Sequence, residues 1–179
     1  MSMTRRTLML SGAAALGGCV SQTSGAQIDQ QVAASKSLLF STVPGTQELS
    51  TRSAGMLVIP NIIEGGFVLT GAYGEGALMV GEATVDYISV TAAAVGFQAG
   101  AQSYSQALFF STPDTLARFR QSDGFELGVD AEVALISEGA SIGTSSTTLT
   151  KPVYQVIYGQ KGLIAGASLE GAKYSRLIR

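Results

Sequence analysis

Between Gly65 and Gly81 six glycines punctuate an otherwise apolar run, Gly-Gly-Phe-Val-Leu-Thr-Gly-Ala-Tyr-Gly-Glu-Gly-Ala-Leu-Met-Val-Gly. Inside it, Gly71-Ala72-Tyr73-Gly74-Glu75-Gly76-Ala77 has an echo near the C-terminus, Gly166-Ala167-Ser168-Leu169-Glu170-Gly171-Ala172. Each copy follows an apolar run, Phe67-Val68-Leu69 in one and Leu163-Ile164 in the other. Glycine at this density rules out a long helix and favours strands that bend or approach one another closely. The order Gly71-x-x-Gly74-x-Gly76 is not that of a dinucleotide loop, and no Gly-Lys-Ser/Thr follows it. The two segments are therefore expected to be close-packed strand or turn backbone of one β core, with Gly71, Gly74, Gly76, Gly166 and Gly171 as its structural glycines.

The rest of the composition supports a packed β domain. Of 179 residues, 46% are hydrophobic and only 13% charged, with 22 glycines against four prolines. A single domain with a short appendage fits this length. The formal net charge of −2 argues against a nucleic-acid partner, which calls for a basic protein. There is no histidine, so neither a Ser-His-Asp system nor a histidine-ligated metal is available. One cysteine permits no internal disulfide and no cysteine-based zinc cage. No catalytic residue, metal ligand or cofactor is assigned, and the chain is expected not to be an enzyme.

Read from its beginning, the chain opens like an exported protein. Arg5 and Arg6 form a basic start, and Leu8–Leu16 is an apolar stretch too short to span a bilayer. It ends in Leu16-Gly17-Gly18-Cys19, which resembles a bacterial lipobox. Residues 1–18 are thus read as a signal peptide and Cys19 as the lipidation site, bearing diacylglycerol and palmitate-class acyl chains. The paired arginines fit twin-arginine or general secretory export. Val20 in place of an aspartate favours the outer membrane, with the domain facing the periplasm. Residues 19–27 form a Ser/Thr/Gly/Gln-rich tether, and 28–179 a single domain.

Ile28, Val32, Leu38 and Leu39 recur at helical spacing, so a helix is expected from about Ala26 to Thr42, ended by Val43-Pro44-Gly45. Its face carries few cations and is expected to pack on the core. A second short helix is expected over Gln47–Ser53. From Ala54 onward short apolar runs bounded by glycine read as strands: 56–59, 67–72, 77–80, 87–95, 107–111, 126–128, 131–136, 153–158 and 163–169. Thr112-Pro113-Asp114 starts a helix over Pro113–Ser122, and Ser137–Thr150 reads as a loop or polar hairpin. The expected fold is α+β and mainly β: an antiparallel sandwich or barrel-like sheet with an N-terminal helix and one short helix near 113–122.

Two features remain as candidate sites. Glu75 and Glu170 recur at matching places, and each is expected to accept backbone N–H groups in a glycine turn rather than to form a catalytic pair. Charge is also uneven. Residues 151–179 hold Lys151, Lys161, Lys173, Arg176 and Arg179 against Glu170 alone, whereas residues 19–150 hold four cations against twelve anions. Lys161, Lys173 and Arg176 are therefore candidate contacts for lipid headgroups, since each cation near an anionic membrane contributes about 1 kcal/mol.

Five ordered motifs resemble the SYLF domain family: Gly55-Met56-Leu57-Val58-Ile59-Pro60; Gly66-Phe67; Gly71-x-x-Gly74-Glu75-Gly76; Gly96-Phe97-Gln98-x-Gly100-Ala101-Gln102; and Lys161-Gly162-Leu163-x-Ala165-Gly166-x-Ser168-Leu169-Glu170-Gly171. The resemblance runs from about Ala54 to Arg179. It implies a lipid-binding module, associated in eukaryotic members with phosphoinositide membranes and in some cases actin. The basic amphipathic N-terminal helix credited with membrane binding in some members is absent here, where that region offers only Lys36 and Arg52. The expected function is non-enzymatic binding of membrane lipid, with anionic phospholipid as partner. The alternative is a structural protein that binds an envelope protein.

Overall fold

The computed structural model describes residues 23–66, 69–95, 100–137, 150–162 and 171–179. The signal segment with Cys19, most of the Ser/Thr-rich stretch before Thr150, the expected strand 163–169, and Gly166 and Glu170 of the glycine echo lie outside them.

Helix α1 (Gly25–Thr42) is followed by α2 (Thr46–Arg52) and then by four long strands, β1 (Gly55–Gly66), β2 (Leu69–Val80), β3 (Ala83–Val95) and β4 (Gly100–Phe110). Helix α3 (Pro113–Gln121) leads to β5 (Phe125–Glu126), β6 (Val133–Ser137), β7 (Val153–Gly162) and β8 (Lys173–Leu177). All eight strands form one sheet in the order β5-β8-β3-β2-β1-β4-β7-β6. Every pairing is antiparallel except β6 with β7, which is parallel. The sheet curls into a half-barrel, so the barrel-like expectation describes the fold and the sandwich does not. The curl is visible in one contact: Gln106 on β4 hydrogen-bonds Tyr174 on β8 at 2.7 Å, across three intervening strands.

Period-2 alternation gives the sheet two apolar faces. The concave face gathers Leu57, Ile59, Ile62, Leu108, Phe110 and Val90, and α3 closes it with Leu116 and Phe119. Phe119 sits between Phe110 and Phe125, at centroid distances of 4.7 and 5.0 Å. Part of the convex face carries Met56, Val58, Ala77, Met79, Ala107, Phe109, Val156 and Tyr158, and α1 covers these with Ile28, Val32 and Leu39. Thus α1 is a packing element, as its sequence implies. Its start is fixed by a capping box: Ser24 Oγ accepts from Gln27 N while Gln27 Oε1 accepts from Ser24 N. Leu38, taken from its spacing as part of the buried stripe, is instead largely exposed.

The glycines explain the curl. Strand β1 bulges around Ile59 and Pro60, where its register slips against both β2 and β4. A proline cannot donate to the ladder and sits naturally at such a bulge. Gly74 and Gly76 lie opposite. A Cβ on Gly76 would overlap the Val58 carbonyl oxygen and stand 2.8 Å from Ile59 Cα, and one on Gly74 would meet Asn61 O at 2.9 Å. These residues are mid-strand rather than in a turn, because the whole of Gly71–Ala77 lies within β2. A second irregularity falls on β7 at Gly159, whose φ is +64°, so β4 runs between two bulged neighbours near Ser103–Ser105.

Candidate functional site

Helix α1 crosses only half of the convex face. Its first turn is pinned at β3, where Thr84 and Tyr87 donate to Asp29, each at 2.9 Å. Further along, Ser35 bonds the buried Tyr158 hydroxyl on β7 at 2.7 Å. Asp29 therefore serves as an acceptor for the sheet. Burial drives the Tyr158 hydroxyl up to about 12, against the opposing pull of its Ser35 hydrogen bond, so it stays a neutral partner.

Among the described residues no element covers the other half of the convex face. Ladder registers place one transverse row on it: Lys161 opposite Ser103, Ser103 opposite Ile63, Ile63 opposite Tyr73, Tyr73 opposite Thr91, and Thr91 opposite Lys173. Directly paired residues share a face, so these six side chains stand on the same surface. Ile63 is 59% and Tyr73 50% exposed, although both are large apolar groups. The next row outward is made of small residues, Ala101, Gly65, Gly71 and Ala93. The result is a smooth, partly apolar strip with a lysine at each end, five strand steps or on the order of 24 Å apart along the sheet.

The two lysines are available. Neither ammonium group has a hydrogen bond or ion pair among the described residues. Arg176, the third candidate cation, differs. Its guanidinium lies 3.4 Å from Asp86, which also holds Arg120 at 2.6 Å, and it donates to the Arg120 carbonyl. Residue parity puts it with Tyr174 on the concave side, so the structure brings Lys161 and Lys173 onto one face and leaves Arg176 off it. The sequence marked these three by charge alone. It gave no sign of Ile63 and Tyr73, which become neighbours only through the β1–β2 ladder.

Glu75 lies on the same face, one pair along from Tyr73. Its Oε1 accepts from the Tyr73 hydroxyl at 2.6 Å and from Arg179 at 2.7 Å. This corrects the expectation of a carboxylate held by backbone N–H groups. In mid-strand those groups belong to the ladder, so side chains supply the donors. Partial desolvation and the bond to Glu75 push the Tyr73 phenol up to about 12, while the nearby Arg179 pulls the other way. With Arg179 beside it, Glu75 does not make the strip acidic. Its Oε2 is buried without a partner among the described residues. Gly171 adopts φ +73° in the turn before β8, while its companion Glu170 lies outside the described residues.

The site is thus a partly apolar strip edged by two lysines that have no ion pair among the described residues. Among the described residues no three acidic or thiol side chains gather as a metal site, and no helix is long and apolar enough to cross a membrane. Residues 91–176 match the family described as Ysc84, Las17-binding protein actin regulator. The match is consistent with a SYLF domain, and the matched stretch contains Thr91, Ser103, Lys161 and Lys173 of the row. No curated protein matches the chain.

Proposed function

We propose that this protein is a non-enzymatic lipid-binding module of a bacterial envelope lipoprotein. In this reading Cys19 is acylated and anchors the chain at the outer membrane facing the periplasm, after twin-arginine or general secretory export. The open convex strip then rests on anionic phospholipid. The observation that carries the reading is the transverse row, in which Lys161 and Lys173, without a partner among the described residues, flank exposed Ile63 and Tyr73. Exposed apolar groups rimmed by cations suit an interface where headgroups meet acyl chains. Membrane binding by a surface of this kind combines apolar burial with attraction to anionic lipid.

The test is cosedimentation of the full chain carrying Cys19→Ser with vesicles. Binding to phosphatidylglycerol vesicles that exceeds binding to phosphatidylcholine supports the proposal, and binding to neither overturns it. Cys19→Ser is also expected to release the protein from the membrane fraction of cells, and continued retention would remove the lipid anchor. A second reading draws on the family description, which names a protein that binds Las17 and regulates actin. Here the same strip would contact an envelope protein, and one stoichiometric crosslinked partner in cells would favour it.

A further inference from the structure

Beside the lysine at one end of the row, the two bulges and α1 border an open cleft of about 390 Å³. We propose that this cleft is a discrete site for one phosphate group, either the phosphodiester of a phospholipid headgroup or a free phosphate compound. The proposal rests on the lipid reading only for the source of the phosphate.

The cleft lies where β4 passes between the bulges at Pro60 and Gly159. An unbulged ladder would hold β1, β4 and β7 flat against the helix. Asn61, Ser103 and Lys161 line the cleft on the sheet side, and α1 contributes Gln31 and Ser35 from the other. Two of the lining hydroxyls are already engaged: Ser35 with Tyr158 at 2.7 Å, and Ser105 with the Pro60 carbonyl at 2.8 Å. The side chains of Gln31, Asn61, Ser103 and Lys161 have no partner among the described residues. Four groups able to donate, one of them cationic, thus border a common space with no partner among the described residues; Gln31, Asn61 and Lys161 are exposed and Ser103 is half-buried.

Among the described residues no carboxylate lines the cleft. Asp29 is taken by Thr84 and Tyr87, Glu82 by Lys36, and Glu75 is met by Tyr73 and Arg179. A site with donors, one positive charge and no acidic wall selects an anion with several acceptor oxygens. A lysine ammonium serves phosphate as a point charge, and the neutral donors supply direction. The volume is at the small end for ligand sites, suited to a phosphate with a short alcohol rather than a nucleotide. Leu38, Ala34 and Pro60 give the same cleft an apolar wall, which a glyceryl group could cover.

Two-dimensional ¹⁵N–¹H spectra of the full chain carrying Cys19→Ser provide the test, with inorganic phosphate titrated against chloride at equal ionic strength. The expected result is saturable shifts of the Asn61 side-chain amide and of the Ser103 and Lys161 backbone amides with phosphate alone. Lys161→Gln, at an exposed position, should weaken the apparent affinity about tenfold. Ser103→Ala should weaken it less while leaving the remaining spectrum unchanged. Shifts that are absent, or equal with chloride, or unaltered in Lys161→Gln, overturn the site. Vesicle arms separate the sources. If phosphatidylglycerol vesicles bind and the cleft signals stay still, the cleft inference fails and the surface reading stands. If phosphate moves the cleft signals and vesicles bind nowhere, the cleft takes a free phosphate compound and the lipid reading fails.

Discussion

Gly71, Gly74 and Gly76 look equivalent as letters, yet their surroundings are not. A Cβ at Gly71 meets nothing within 4 Å, whereas at Gly76 it collides with the backbone of Val58 and Ile59. Backbone cannot step aside as a flexible side-chain tip can. Gly76→Ala is therefore expected to destabilise the fold by about 1–3 kcal/mol, as overpacking of a close core does. Gly71→Ala should be neutral or slightly stabilising, by up to about 1 kcal/mol, through the entropy of the unfolded chain. Urea denaturation of the two variants checks the contrast, and equal losses would remove the bulge-packing account. The motif was legible as a steric device. Which glycine did the packing was not, because the obstacle is a carbonyl eighteen residues earlier on another strand.

Among the elements, helices were the more legible, since their signals are local. Thr112-Pro113 caps α3 as read, with Thr112 Oγ1 accepting from Thr115 N at 3.2 Å. The α1 start was placed one residue late, although Ser24-x-x-Gln27 carries the capping-box spacing. Ser24→Ala should cost about 1 kcal/mol and fray the first turn, measured by thermal unfolding and by amide exchange at Gln27 and Ile28. An unchanged stability would mean that packing alone fixes that end. Strands were read only where they are apolar. The reading stopped β1 at Ile59 and opened β4 at Ala107, but pairing carries them from Gly55 to Gly66 and from Gly100 to Phe110. Lys173–Leu177 was not read as a strand at all, because Lys-Tyr-Ser-Arg-Leu buries one tyrosine and shows its other side to solvent. The parallel β6–β7 pair is a long-range fact with no local signature.

The described residues form a curled sheet with one half of its convex face covered by α1 and the other half uncovered by them. Its interior is rich in tyrosine, and this sets an alkaline limit. Burial drives the hydroxyls of Tyr104, Tyr158 and Tyr174 upward from the usual value of 10.0. A hydroxyl raised in the folded state supports folding fully below the unfolded value, and that support is lost as pH climbs through the folded one. Stability is thus expected to hold through neutrality and to fall above about pH 10, by up to about 1.4 kcal/mol per pH unit for each tyrosine. Denaturant midpoints between pH 7 and 12 measure this. A midpoint rising above pH 10 would contradict it.

At the same scale stands the proposal that the half-face left uncovered by the described residues binds anionic membrane through Lys161 and Lys173. Charge counting in the sequence selected Lys161, Lys173 and Arg176 together, and the fold separates them, since Arg176 is already engaged by Asp86. The most direct measurement is the partition of three variants onto phosphatidylglycerol vesicles: wild type, Lys161→Gln with Lys173→Gln, and Arg176→Gln. At about 1 kcal/mol per cation, the double change should weaken partition roughly thirtyfold, and Arg176→Gln should change it little. Equal losses from the double change and from Arg176→Gln, or no loss from either, would contradict the account.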